Sequence, residues 1–165
     1  MMESSGQKDE TIHSASGFTL IEMILVVGVL SILGGLGVYS YANSYRVNLL
    51  NNTAEEIVSL ARFAQQESMS QKNANASGVR FDNINSSSPF VAVFSGSYAP
   101  ANIKEHYQLS AQVSFSSPAV GSSTEITFSK LSGLPNMPES VVLMLRGSSL
   151  TKTITINASG GISKN

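Results

Sequence analysis

An uncharged apolar segment near the amino terminus constrains this chain more than any other feature. Between Glu22 and Arg46 no side chain is charged, and the 23 residues Met23–Tyr45 would form about 34 Å of α-helix. The hydrocarbon core of a bilayer is about 30 Å thick, whereas the apolar region of a secretory signal has only about 7–15 residues. The segment therefore predicts one membrane-spanning helix. A buried helix of a soluble domain is the alternative.

The composition excludes several functions. The chain has 165 residues and no cysteine, so it holds neither disulfides nor cysteine-based metal sites. Its formal net charge is −1, so the chain lacks the strong positive electrostatic field that would indicate a nucleic-acid-binding protein. The length suits one domain with a modest core, and an exported domain without cysteine would be held together by packing alone.

The residues GFTLIEMILVVGVLSIL, from Gly17 to Leu33, carry a specific resemblance. They are similar to the amino-terminal signature of type IV pilin and type II secretion pseudopilin precursors. The resemblance implies that a prepilin peptidase removes a leader of residues 1–17 by cutting between Gly17 and Phe18, and that Phe18 becomes the N-methylated terminus. It also implies that residues 18–45 first span the membrane and then form part of a filament core.

Glu22 is the fifth residue after this cut. A carboxylate in hydrocarbon costs about 2.5–3.5 kcal/mol on insertion scales. The resemblance implies an assembly role, in which Glu22 pairs with the terminal amine of Phe18 in a neighbouring subunit. The alternative is an acid that reaches back to the membrane surface without any partner.

Two features depart from the pattern of the family. The leader carries Lys8 against three acids, Glu3, Asp9 and Glu10, where related leaders are usually basic. A proline that the family often has part-way along the helix is replaced by the glycines Gly34, Gly35 and Gly37. These glycines would loosen the helix or let neighbouring helices approach closely, and glycine is also simply commoner in membrane helices.

Residues 46–74 predict an amphipathic helix that continues into an outer domain. Apolar residues recur at steps of four and three, which is helical spacing, and Leu60 and Phe63 widen this face. The stripe consists of Leu50, Ala54, Ile57, Ala61 and Ala64. We expect the helix to end near Lys72, before the residues NANASG, and to be softened at Asn51, Asn52 and Thr53.

Residues 75–165 predict a β-rich domain, because short alternating or apolar runs are separated by turn residues. Six strands are expected, at 78–84, 90–96, 111–117, 125–131, 140–147 and 152–162. The fold class is therefore α+β and pilin-like, with a long amino-terminal helix packed on an antiparallel sheet. The order of elements resembles that of H-type minor pseudopilins, and this implies a closing hairpin between ITFSKLSGLP and KTITINASGGIS.

Candidate catalytic and metal-binding residues are few. His13 lies in the leader, and His106 is expected to be solvated in a loop. Asp82 is the only aspartate after the leader, so a calcium site is not expected, and we predict neither catalytic residues nor a cofactor. Three cations that could share a face make a weak DNA-binding patch: Lys130, Arg146 and Lys152.

The sequence predicts a structural subunit, a minor pilin or pseudopilin, and not an enzyme. The implied partners are prepilin peptidase, other pilins or pseudopilins, and an inner-membrane assembly platform. The implied location is the cytoplasmic membrane, with residues after Arg46 exported, and later a periplasmic or extracellular filament. The alternative is a pilin-like module of an uptake system that binds DNA or a surface. The residues do not separate secretion from motility or DNA uptake.

Overall fold

The computed structural model describes residues 17–70 and 75–165, without the side chains of residues 36–40. It contains one long helix, α1, a short 3₁₀ helix at Pro100–Asn102, and eight strands. The helix is Leu20–Met69, and the strands are β1 (Ser77–Asp82), β2 (Phe90–Ser95), β3 (Ile103–Gln108), β4 (Val113–Ser117), β5 (Ser123–Phe128), β6 (Glu139–Leu145), β7 (Thr151–Ile156) and β8 (Ile162–Lys164). The chain divides into two units between Tyr41 and Ala42.

The strands form two four-stranded sheets, and every pairing is antiparallel. The first sheet has the order β3-β2-β1-β5, and the second has the order β4-β6-β7-β8. In the first sheet Arg80 of β1 lies opposite Ala92 on one side and Glu125 on the other. The α+β class and the antiparallel pairing are thus as predicted, but the single expected sheet is two.

The carboxyl-terminal half of α1 buries the predicted apolar stripe. All five predicted stripe residues are buried, and Val58 is buried beside them. Alanine at three stripe positions shortens the distance at which a helix can pack. Leu60 packs against the core as expected, but Phe63 is 38% exposed. The prediction for Phe63 was wrong because Phe63 lies two residues after the buried Ala61, which places it about 200° around the helix from that residue.

One apolar core joins α1 to both sheets. Residues that alternate along each strand point inward, as the period of a strand requires. The rings of Phe81 and Phe115, one from each sheet, meet edge to face with centroids 6.2 Å apart. The strand residues of the core are Val79, Phe81, Val91, Val93, Val113, Phe115, Ile126, Phe128, Val141, Leu143, Leu145, Ile154, Ile156 and Ile162.

Polar side chains of α1 fasten the helix to the loops around it. The side-chain amide of Gln65 donates hydrogen bonds to the carbonyls of Gly133 and Gly160, both at 2.9 Å. The hydroxyl of Ser68 accepts from the amide of Ser77 at 2.8 Å, at the start of β1. These bonds satisfy backbone groups that would otherwise be unpaired near the end of the helix.

The edge strand β8 is held by two more side chains of α1. Arg62 donates from Nη2 to the carbonyl of Ile162 at 3.1 Å, and Lys164 pairs with Glu55. The hydrogen bond and the charge of Lys164 hold the pKa of the Glu55 carboxyl below its ordinary value. These interactions satisfy a backbone carbonyl and pair a side-chain charge on an edge strand that is only three residues long.

Gly78 marks a place where the backbone of β1 is tightly enclosed. A Cβ atom at this position would lie 2.7 Å from the carbonyl oxygen of Ile126 and 2.7 Å from Cζ of Phe94. The second contact involves a fully buried ring, and the first involves the backbone of β5. Only glycine lets the three strands pair at this point.

Two strands differ from the sequence prediction. Residues 103–108, expected as a loop around His106, form the edge strand β3, where His106 is exposed and its ring lies 4.7 Å from that of Phe90. The single strand expected at 152–162 is β7, a turn and β8. Charged side chains hide the alternation in β3, and β8 is too short to leave a pattern.

The expected closing hairpin is wrong. Strand β5 belongs to the first sheet, where it pairs with β1, whereas β7 pairs with β6 and β8 in the second sheet. The softening expected at Asn51–Thr53 is also not seen, because α1 is continuous there, and the hydroxyl of Thr53 donates to the carbonyl of Leu49 at 2.9 Å. The helix ends at Met69. The end predicted near Lys72 falls within residues 71–74, which lie outside the described residues.

We expect the segment Ala42–Asn165 to fold by itself, because it contains the whole core. In this segment Ile57→Ala should lower the free energy of unfolding by about 2–5 kcal/mol, the range for truncating a buried aliphatic side chain. Glu56→Ala, on the exposed side of the same turn, should change it by less than about 0.5 kcal/mol. Urea denaturation followed by circular dichroism measures both, and equal effects would contradict the packing described here.

Candidate assembly site

The predicted cleavage and assembly residues lie at the start of α1. Gly17, Phe18 and Thr19 precede the helix and are exposed, and Phe18 is 78% exposed. Apart from the two residues next to it in the chain, no described residue has an atom within 4 Å of the position that a Cβ would take at Gly17. The peptide bond between Gly17 and Phe18 is therefore not covered by the described part of the chain.

Thr19 caps the helix, a role that the sequence analysis missed. The hydroxyl oxygen of Thr19 accepts a hydrogen bond from the amide of Glu22 at 3.3 Å. Thr19 and Glu22 have the residue types and spacing of a capping box, in which the first side chain satisfies a free amide of the first turn. The T-x-x-E pattern was present in the sequence and would have predicted this cap.

Glu22 lies in the first turn of α1 and is exposed. The amino-terminal end of a helix carries a partial positive charge, so a carboxylate is favoured there by about 0.3–1 kcal/mol. This gain is smaller than the cost of about 2.5–3.5 kcal/mol for an acid in hydrocarbon. In hydrocarbon, the position of Glu22 would lessen the cost of its charge without removing it.

The first part of α1 exposes apolar side chains on every side. Phe18, just before the helix, and eleven large apolar residues of α1 are exposed by 44–78%, and nine of these eleven lie from Leu20 to Leu30 and cover every side of the helix. They are Phe18, Leu20, Ile21, Met23, Ile24, Leu25, Val26, Val27, Val29, Leu30, Ile32 and Leu33. A helix that is apolar all round needs cover from lipid or from other helices.

Gly28, Gly34 and Gly35 lie on this part of α1. Apart from the neighbouring residues and the nearby backbone of the helix itself, a Cβ at each would have no described atom within 4 Å, so no packing among the described residues requires these glycines. The side chains of residues 36–40 are not described, so Gly37 is outside this comparison. Close approach by another helix and local loosening are the two physical reasons for glycine at these positions.

No helix among the described residues combines the length and hydropathy of a membrane span.

Asp82 has a structural role in the second unit. Its carboxylate pairs with Arg80 at 2.8 Å, Arg80 also bonds to Glu125, and the Arg80 guanidinium lies 4.4 Å from the ring centroid of Tyr98. Burial lowers the pKa of Arg80, but the bonds to the two carboxylates outweigh it and raise that pKa. No three histidine, aspartate or glutamate side chains converge as metal ligands within residues 17–70 and 75–165.

The three cations considered for DNA binding belong to different elements. Lys130 follows β5 of the first sheet, whereas Arg146 follows β6 and Lys152 lies in β7, both of the second sheet. Arg146 donates to the carbonyl of Ser86. Arg146 is thus already engaged by the protein's own backbone, and DNA binding gains no support.

Two solved structures share this fold. No protein-family profile and no curated protein sequence matches the chain. The type IV minor pilin FimU of Pseudomonas aeruginosa is 18% identical, with a TM-score of 0.55 over 72% of this chain and 89% of FimU. The minor pseudopilin EpsH from the type 2 secretion system of Vibrio cholerae is 14% identical, with a TM-score of 0.50 over 70% of this chain and 95% of EpsH. The chain therefore has the fold seen in minor pilins and minor pseudopilins.

The Arg80 cluster predicts a loss of stability when its cation is removed. Arg80→Ala would leave the buried Asp82 carboxylate without that cation and should cost about 3 kcal/mol at pH 7. Lys104→Ala, at an exposed position of β3, is the control and should change the free energy of unfolding by less than about 0.5 kcal/mol. Urea denaturation at pH 7 measures both variants, and equal effects would contradict the pairing.

Proposed function

We propose that this chain is a minor subunit of a type IV pilus or a type II secretion filament. The observation that carries the proposal is the contrast along α1. Residues after Ala42 bury their apolar stripe in a core of their own, whereas Leu20–Leu33 are apolar on all sides and have no cover in the described chain. A filament subunit needs both parts, because one folds alone and the other packs only against other molecules.

The same contrast supports two successive environments for the first part of α1. Lipid covers it before assembly, with the amino terminus on the cytoplasmic side and the second unit exported. Helices of other subunits cover it afterwards, in a filament built on an inner-membrane assembly platform. The resemblance at Gly17–Leu33 supports this order, since precursors with that signature are membrane proteins before they are polymerised.

We infer that prepilin peptidase cuts between Gly17 and Phe18 and methylates the amine of Phe18. The uncovered backbone at Gly17 supports access by an enzyme. The cap at Thr19 keeps the helix from extending towards the cut, because capping residues stabilise helix ends at a defined position. A processed chain would begin two residues before α1.

We infer that Glu22 pairs with the Phe18 amine of a neighbouring subunit. When Glu22 and the Phe18 amine move from water or the membrane surface into a bundle of apolar helices, the free-energy cost of leaving either charge unpaired rises. An amine and a carboxylate on adjacent subunits satisfy each other, and their separation along the chain sets the axial offset between subunits. The exposed position of Glu22 leaves its carboxylate open to such a partner.

Processing is the first test of the proposal. In a host that has a prepilin peptidase, mass spectrometry of the membrane-bound protein should find an N-methylated Phe18 at the amino terminus. Gly17→Trp should leave the precursor uncut, because a bulky side chain prevents close approach of the backbone to an enzyme. Gly28→Trp is the control and should be cut normally. An intact leader on the unchanged protein at steady state would overturn the proposal.

The second test separates the charge of Glu22 from its place in the cap. Glu22→Gln keeps a residue type that suits a capping box but removes the charge. It should reach the membrane normally and be cut, yet fail to co-purify with filament subunits, because breaking a buried pair costs about 3–5 kcal/mol.

Thr19→Ala is the matched variant, since it removes the cap and keeps the charge. It should lose only about 0.5–2 kcal/mol of helix stability and still co-purify. If Glu22→Gln co-purifies normally while Thr19→Ala does not, Glu22 acts through the helix cap and the pairing is wrong.

A further inference from the structure

Three exposed apolar side chains lie at the carboxyl-terminal end of α1, one on its last residue and two on the loop after β5. Met69, Leu131 and Leu134 are 42%, 66% and 43% exposed, and we call them the end patch. The amide of Leu131 donates to the carbonyl of Ser68 at 3.3 Å, next to Met69. A Cβ at Gly133, between the two leucines, would lie 2.8 Å from Sδ of Met69. The loop after β5 therefore carries both leucines to the end of the helix.

Leu131 is unfavourable for folding at this position in two ways. Its φ of 68° is in the left-handed region, and it is the one residue other than glycine with positive φ in residues 17–70 and 75–165. Glycine and asparagine adopt this conformation more readily, because the Cβ of other residues clashes with the backbone. A side chain that is two-thirds exposed also gains little from burial. Strain of this kind is found where another function requires it.

We propose that the end patch docks on an apolar face of a neighbouring pilin-like subunit in the same filament. This inference rests on the proposed function and names a contact that the amino-terminal helix does not make. Leu131 is the anchor of the contact, since a few well-buried side chains supply most of the energy of an interface. Docking would bury the leucine that folding leaves in water.

The size of the end patch argues for a tethered neighbour and against a free homodimer. A stable interface between independent proteins buries about 800 Å² on each partner and uses roughly 20–30 residues a side. Three side chains fall far below that. A subunit already held nearby by helix packing needs less area, because tethering raises the effective concentration to the millimolar range. The apolar first part of α1 provides that tether.

Photo-crosslinking in cells tests the contact on the full chain. A benzophenone amino acid is placed at Leu131, and at Val120 as the matched control, since Val120 is 68% exposed in the loop between β4 and β5. Position 131 should give an adduct with another pilin-like subunit at least tenfold stronger than position 120. No adduct, equal adducts at both positions, or an adduct with phospholipid at 131 would overturn the proposal.

Substitution by asparagine separates assembly from folding. Leu131→Asn should keep or raise the melting temperature of the purified chain, because asparagine tolerates positive φ. It should weaken co-purification with filament subunits roughly ten- to a hundredfold, the effect of withdrawing one buried leucine from an interface. Val120→Asn should change neither quantity. A lower melting temperature for Leu131→Asn would show that Leu131 serves folding, and unchanged co-purification would show that it makes no docking contact; either result would overturn the proposal.

Processing is measured on the same samples, so that the two proposals fail separately. A mature amino terminus at Phe18 without an adduct at 131 contradicts the docking contact alone. An uncut leader contradicts the proposed function, and in that case an adduct with a pilin-like subunit at 131 still supports the contact and its absence still opposes it.

Discussion

Apolar surface that has no cover within the described residues is the constraint on which this structure depends. Beyond Ala42, α1 alternates between a stripe that the two sheets bury and a face that water solvates. Between Leu20 and Leu33 there is no such alternation, and every large apolar side chain is exposed. Burying one such side chain is worth about 1.5–3 kcal/mol. This stretch of α1 therefore gains stability from cover that the described chain does not supply.

Two acids show how the protein treats charge in these two settings. Asp82, the only aspartate after the leader, is buried beside Arg80, which also contacts Glu125 and Tyr98. All the partners of Asp82 come from the same sheet or the loop next to it. Within residues 17–70 and 75–165 Glu22 forms no ion pair, and it lies at the amino-terminal end of the helix dipole. A charge with partners inside the described chain serves folding, whereas the partner that we propose for Glu22 belongs to another subunit.

The parts of the fold that follow a local period could be predicted from the sequence, and the parts that depend on distant pairing could not. Leu50, Ala54 and Ile57 show their face by spacing alone. The pairing of β1 with β5, however, joins residues more than 40 positions apart, and no local signal separates β5 from the second sheet. In the candidate site, Gly17, Phe18 and Glu22 were predicted from the family resemblance, and the cap at Thr19 could have been predicted from the T-x-x-E pattern. The positive φ of Leu131 could not have been predicted, because the nearby Gly133 is the residue of this loop that favours positive φ.

Residues that lower the stability of the separate chain identify its assembly surfaces better than residues that raise it. Ile57 or Phe81 would be required in any stable domain with this core, so they say nothing about partners. Glu22 in an apolar surrounding, and a leucine in a left-handed turn, each cost free energy that contacts within the described chain offset only in part. Marginal stability leaves only about 5–15 kcal/mol for a whole domain. Costs of this kind persist where a second molecule offsets them, and both of these positions lie on surfaces that the chain itself leaves uncovered.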